Sequence, residues 1–63
     1  MKLINKEYEL KESLRFVCKQ ELLFESVDGS KEMFVMTFYI KDTDKSDQFK
    51  MGERYKFEVS SVA

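Results

Sequence analysis

Apolar and polar residues alternate along most of this chain with the period of two that marks a half-buried β-strand. Leu14, Phe16, Cys18, Leu22 and Phe24 fall on one face of an extended segment, and Arg15, Lys19, Glu21 and Glu25 fall on the other, with Gln20 as the polar interruption. Further on, Phe34, Met36, Phe38 and Ile40 alternate with Met33, Val35, Thr37, Tyr39 and Lys41, giving one strongly apolar face and one mixed face. Near the end Tyr55, Phe57 and Val59 alternate with Arg54, Lys56, Glu58 and Ser60. Three extended segments are therefore predicted, joined by two kinds of punctuation.

The first is Val27-Asp28-Gly29-Ser30, where Asp-Gly predicts a hairpin turn because both residues tolerate positive φ. The second is Asp42 to Asp47, wholly polar and read as a loop, followed by Gly52 at the turn or bulge that opens the last strand. Residues 6–12 support two readings. Good helix formers fill Lys6 to Glu12, and Leu10, Leu14, Val17 and Cys18 also fit helical spacing. A helix would leave Phe16, Leu23 and Phe24 off its stripe, so a short strand over Lys6–Leu10 and then a long bent strand from Ser13 is the favoured reading. The pattern predicts a mainly β fold, a small antiparallel β-barrel or curled, OB-like sheet, with a short N-terminal helix as the rival at its start.

Length narrows the architecture further. The 63 residues make one small β domain, 1–63, which buries only about 60% of the surface its unfolded chain exposes. No intrachain disulfide can reinforce it, because Cys18 is the single cysteine; its place beside Phe16 predicts a core thiol that acts as a small hydrophobe. Burial of nine aromatic side chains is left as the source of stability, and self-association, as a homodimer, would enlarge that core.

Composition removes most chemistry. There is no histidine, hence no ordinary base near neutral pH and no Cys/His zinc set, and two isolated glycines cannot make a phosphate loop. No catalytic, cofactor-binding or metal-binding residue is assigned, and no cofactor is expected. The spacing of Asp42, Asp44, Ser46 and Glu53 imitates part of a calcium loop. Asp47 stands where the sharp turn needs glycine, however, and Lys50 brings positive charge to a ligand position. The formal charge of −1 gives no field that would draw the chain to nucleic acid or anionic lipid. The apolar runs are too short for a membrane span or signal peptide, so a cytoplasmic protein without a membrane partner is expected.

Two binding surfaces remain as candidates. Met33, Val35 and Tyr39 lie opposite the main apolar stripe, where they would expose an adaptable patch to a protein partner or a second copy. The alternative is a single-stranded nucleic-acid surface built from Arg15, Lys19, Tyr39, Lys41 and Lys56, which combines an aromatic platform with cations. Glu21, Glu25 and Glu58 share those faces and would repel phosphate, which ranks nucleic acid second.

From Gln48 onward the run Phe49-Lys50-Met51-Gly52-Glu53-Arg54-Tyr55-Lys56-Phe57-Glu58-Val59 resembles the closing segment of small phage- and prophage-encoded proteins. Those proteins have a curled β architecture related to the oligonucleotide-binding fold, and often a longer central insertion than this chain has. The resemblance implies a phage or mobile-element accessory protein, acting in the host cytoplasm by binding a macromolecule. It transfers no binding residue.

Overall fold

The computed structural model describes residues 2–39, 41 and 43–62. Four strands and one helical turn follow in the order β1 (Lys2–Arg15), β2 (Lys19–Ser26), β3 (Met33–Tyr39), α1 (Thr43–Ser46) and β4 (Arg54–Ser60). All pairings are antiparallel, in the spatial order β3-β2-β1-β4, so the molecule is a curled half-barrel sheet with β3 and β4 at its edges. The curled, OB-like sheet expected from the alternation is the fold adopted.

The N-terminal helix is overturned. Residues 6–12 lie inside β1, where Tyr8 and Leu10 point into the core at 1% exposure and Glu7 is exposed. Tertiary pairing on both sides outweighs the helical propensity of this segment: Glu7 lies opposite Lys56, and Glu9 lies between Glu25 and Arg54.

The long bent strand from Ser13 is overturned as well. The chain reverses at Phe16-Val17-Cys18, and Phe16 N–H donates to Lys19 C=O at 2.8 Å to close a hairpin between β1 and β2. Cys18 is therefore exposed, and Phe16 and Leu14 keep 48% and 49% of their surface. A core thiol was expected there, but a strand's side-chain alternation ends where the strand ends.

The turn after β2 forms where Asp-Gly predicts it, although with a six-residue loop, Val27–Glu32, rather than a tight two-residue one. Gly29 (φ 88°) and Lys31 (φ 59°) take left-handed conformations, and Asp28 Oδ1 accepts from both the N–H (2.9 Å) and the hydroxyl (2.6 Å) of Ser30. Gly52 (φ 80°) makes the turn into β4 as expected.

Tyr8, Leu10, Leu22 and Phe24 form the buried centre on the concave face, with Ile4, Phe34, Met36, Phe38, Phe49, Tyr55 and Phe57 packed against it. Phe24, fully buried, stacks on Phe34 at 5.1 Å and meets the edge of Phe57 at 4.9 Å and of Phe49 at 5.6 Å. The segment after β3 covers one end of this face. Ser46, 1% exposed, donates its hydroxyl to Gln20 Oε1 at 2.8 Å, and Gln20 Nε2 donates to Ser13 Oγ at 2.8 Å. Gln20, a polar interruption in the sequence, thus ties α1 to the sheet. Ile40, expected to extend the apolar face of β3, and Asp42 of the loop lie outside the described residues.

Candidate functional site

The alternation within β3 is sharp. Phe34, Met36 and Phe38 turn toward the core and are half-buried, while Met33, Val35 and Tyr39 stand on the convex face at 54%, 53% and 60% exposure. Register extends this patch onto β2, because Val35 lies directly opposite Leu23, a half-buried residue of the same face. Leu14 joins it from β1. The register between β1 and β2 shifts after Leu10, so that Glu12 faces Leu23 and Leu14 faces Glu21, and this one-residue bulge moves Leu14 to the convex side.

Charges stand within this face as well as around it: Glu21 lies between Leu14 and Thr37, next to Leu23 along β2, and Glu12 lies opposite Leu23. Lys11 Nζ lies 3.0 Å from Glu9 and 4.0 Å from Glu25, and Arg54 Nε lies 3.8 Å from Glu9. Lys19 lies 3.4 Å from Glu21 and 5.3 Å from the centre of the Phe16 ring.

The five nucleic-acid candidates are not brought to one surface. Lys19 and Tyr39 are direct cross-strand partners on the convex face. Arg15 lies opposite Gln20, a concave-side position, because the bulge reverses its parity. Lys56 is on β4, two strands away from β2, opposite Glu7 and 3.3 Å from Glu58. Lys41 follows β3 and is exposed.

Sequence reasoning did not anticipate a second feature. A cleft of about 600 Å³ opens between the beginnings of β1 and β3 and the end of β4, with walls that include Ile4, Phe34, Met36, Phe57 and Val59. At its polar end Lys6 Nζ lies 2.7 Å from Glu32 and 3.2 Å from Asp28, and Tyr8 donates its hydroxyl to Glu32 at 3.1 Å. Ser26 Oγ accepts the N–H of Glu32 at 3.1 Å and shares a hydrogen bond with Ser30 Oγ at 2.9 Å. These contacts shift the groups consistently. Bonds from Ser30 and Lys6 hold Asp28 well below the usual carboxylate range, and bonds from Lys6 and Tyr8 lower Glu32. The bond to Glu32 raises Lys6, whereas burial and then Glu32 raise Tyr8. The network locks the β2–β3 loop against β1 with its ions already paired. Lys6 and Glu32 are 26 positions apart, and only the pairing of β1 with β2 brings them together.

Among the described residues no group of three or more His, Cys, Asp or Glu side chains could hold a metal ion, and no helix is long and apolar enough to cross a membrane. Compared with known proteins, the chain matches no family model, no curated protein and no solved structure. The resemblance of residues 49–59 to phage-encoded proteins gains no support from these comparisons, and the functional reading rests on geometry.

Proposed function

We propose that this chain is a non-catalytic binding module that works by protein–protein contact, self-association included, through the convex face and free edge of β3. One observation carries the reading. Met33, Val35 and Tyr39 are all more than half exposed on a strand whose other side pairs with nothing among the described residues. An apolar row beside unpaired backbone groups offers an extended partner both main-chain hydrogen bonds and side-chain contact. Single-stranded nucleic acid is the competing reading, supported by the Lys19–Tyr39 pair and weakened by the scatter of Arg15 and Lys56.

The two respond oppositely to salt, since phosphate contacts release counterions and weaken steeply whereas apolar association does not. Light scattering at two salt concentrations, with and without a labelled single-stranded oligonucleotide, separates them. Association that withstands salt, ignores the oligonucleotide and is lost in a folded Val35→Asp variant is the expected result. A complex with the oligonucleotide that dissolves at high salt, and weakens in Lys19→Glu/Lys41→Glu, would replace this reading with the nucleic-acid one.

A further inference from the structure

We infer that the partner of the β3 edge is a second copy of β3, paired antiparallel about a two-fold axis at Met36, so that two half-barrels join into one eight-stranded sheet. The inference rests on the binding reading above and names its occupant.

The two edges of the sheet differ in kind. Soluble proteins blunt an exposed edge with charged side chains, proline, a bulge or shortness. β4 follows this rule, with Arg54, Lys56 and Glu58 at alternate exposed positions. β3 uses none of these devices. Its seven residues, Met-Phe-Val-Met-Thr-Phe-Tyr, hold no charge and no proline, in a chain where 37% of residues are charged. Its register with β2 runs unbroken from Lys19↔Tyr39 to Glu25↔Met33, so no bulge turns the edge aside. An edge left unguarded in so charged a chain is one that pairs.

β3 also complements itself in that arrangement. With Met36 on the axis all seven residues overlap, and the faces agree. Met33 meets Tyr39 and Val35 meets Thr37 of the second copy on the convex side, while Phe34 meets Phe38 on the concave side. A one-residue slip would set exposed side chains against core ones.

The faces of the sheet select the direction, and the charges agree with it. On β2, Glu25 stands beside Met33 and Lys19 beside Tyr39. Antiparallel pairing therefore ends each outer cross-sheet row with Glu25 of one copy and Lys19 of the other. Parallel pairing of two β3 edges would instead turn the second sheet over and set its concave face beside the convex face of the first, so only the antiparallel arrangement keeps both cores on one side. A peptide laid between β3 and β4 fits less well, because it would also have to pair with the charged edge of β4. The inside of that gap is already bridged by the Phe34–Phe57 contact at 4.9 Å.

Cross-linking tests the axis directly, because a disulfide between two identical positions forms only where they face each other. In a Cys18→Ser background, Met36→Cys places two Cα atoms about 4.5–5.5 Å apart across the axis, within the roughly 4.4–6.8 Å a disulfide spans. A covalent dimer under mild oxidation is expected, with Lys56→Cys as the control that stays monomeric. Should Met36→Cys disturb the core, Val35→Cys/Thr37→Cys reads the same register from exposed positions. Thr37→Lys, which places a charge on the edge, is expected to sediment as a monomer with unchanged far-UV circular dichroism.

A parent chain that is monomeric at roughly 1 mM, or Lys56→Cys cross-linking as fast as Met36→Cys, overturns the second-copy inference. If that monomer also ignores the oligonucleotide, the protein-binding reading survives with a different partner. If it binds the oligonucleotide, both fall.

Discussion

Phe16 and Phe24 look equivalent in the sequence and are opposites in the structure, and truncating each in turn measures the difference. Phe24 is fully buried, with the rings of Phe34, Phe49, Tyr55 and Phe57 at 5.1, 5.6, 6.3 and 4.9 Å. Replacing a buried Phe by Ala removes its transfer free energy and leaves a cavity, at a cost of about 3–5 kcal/mol. A 63-residue chain has roughly 3–9 kcal/mol in total at 0.05–0.15 kcal/mol per residue. Phe24→Ala is therefore expected to lose between about a third and all of that stability. Phe24→Leu, which keeps most of the volume, should remain folded with a loss of about 1–1.5 kcal/mol. Phe16→Ala removes a ring that keeps 48% of its surface in a turn and should cost under about 1 kcal/mol. Urea unfolding at fixed protein concentration, followed by far-UV circular dichroism and tyrosine fluorescence, reports all three. Equal losses for Phe16→Ala and Phe24→Ala would refute the hairpin at residues 16–18 and restore the single long strand.

Other expectations follow from the loop network and the free thiol. Asp28 and Glu32 have lowered pKa values when folded, so they bind fewer protons folded than unfolded. Their contribution to stability is present above the ordinary values of 3.8 and 4.5 and lost as pH falls through the depressed ones. An acid titration should show Lys6→Met losing the part of that dependence due to Glu32, whose first partner is Lys6, while the part due to Asp28, held first by Ser30, largely remains; an unchanged acid limb would argue against the network. Lys6 and Tyr8 have raised values, so their contribution is complete below about pH 10 and lost above it. Alkaline unfolding should begin there and shift in Tyr8→Phe. Cys18 should react with a thiol reagent in the native protein as fast as in urea, and Cys18→Ser should alter stability by less than about 0.5 kcal/mol. A protected thiol would return it to the core.

What could be read in advance follows from which features are local. The faces of β3 and β4 were legible because period-two alternation is a property of each strand alone, and Asp28-Gly29 and Gly52 marked their turns through positive φ. The reversal at Phe16–Cys18 was not legible. It contains no glycine, proline, Asn or Asp, and none of its residues has a positive φ. Phe, Val and Cys all suit a strand, so composition argued for continuing one. The Met33, Val35 and Tyr39 surface could be proposed from alternation, and its exposure agrees with that placement. The cleft and the Lys6–Glu32–Tyr8 network were not foreseeable, because they depend on β1 pairing with β2 and β4 at once.

The bulge in β1 decides how these pieces add up. Before it, Tyr8 and Leu10 share the concave face with Phe24 and Tyr55, and β1 is paired on both sides. After it, residues 12–15 pair with β2 alone and every side chain has changed face. Without the extra residue, Leu14 would continue the core series begun by Tyr8 and Leu10, and the convex face would lose one of its apolar members. The bulge also increases local twist, which lets one 14-residue strand serve both halves of a curled sheet. A sheet curled in this way gathers its aromatic residues inside and leaves two edges. Only β4 carries charges that keep other strands away. The path of β1 thus adds Leu14 to the convex face on which Met33, Val35 and Tyr39 stand beside the unguarded edge of β3, and there a partner of β3 would gain hydrogen bonds and apolar contact together.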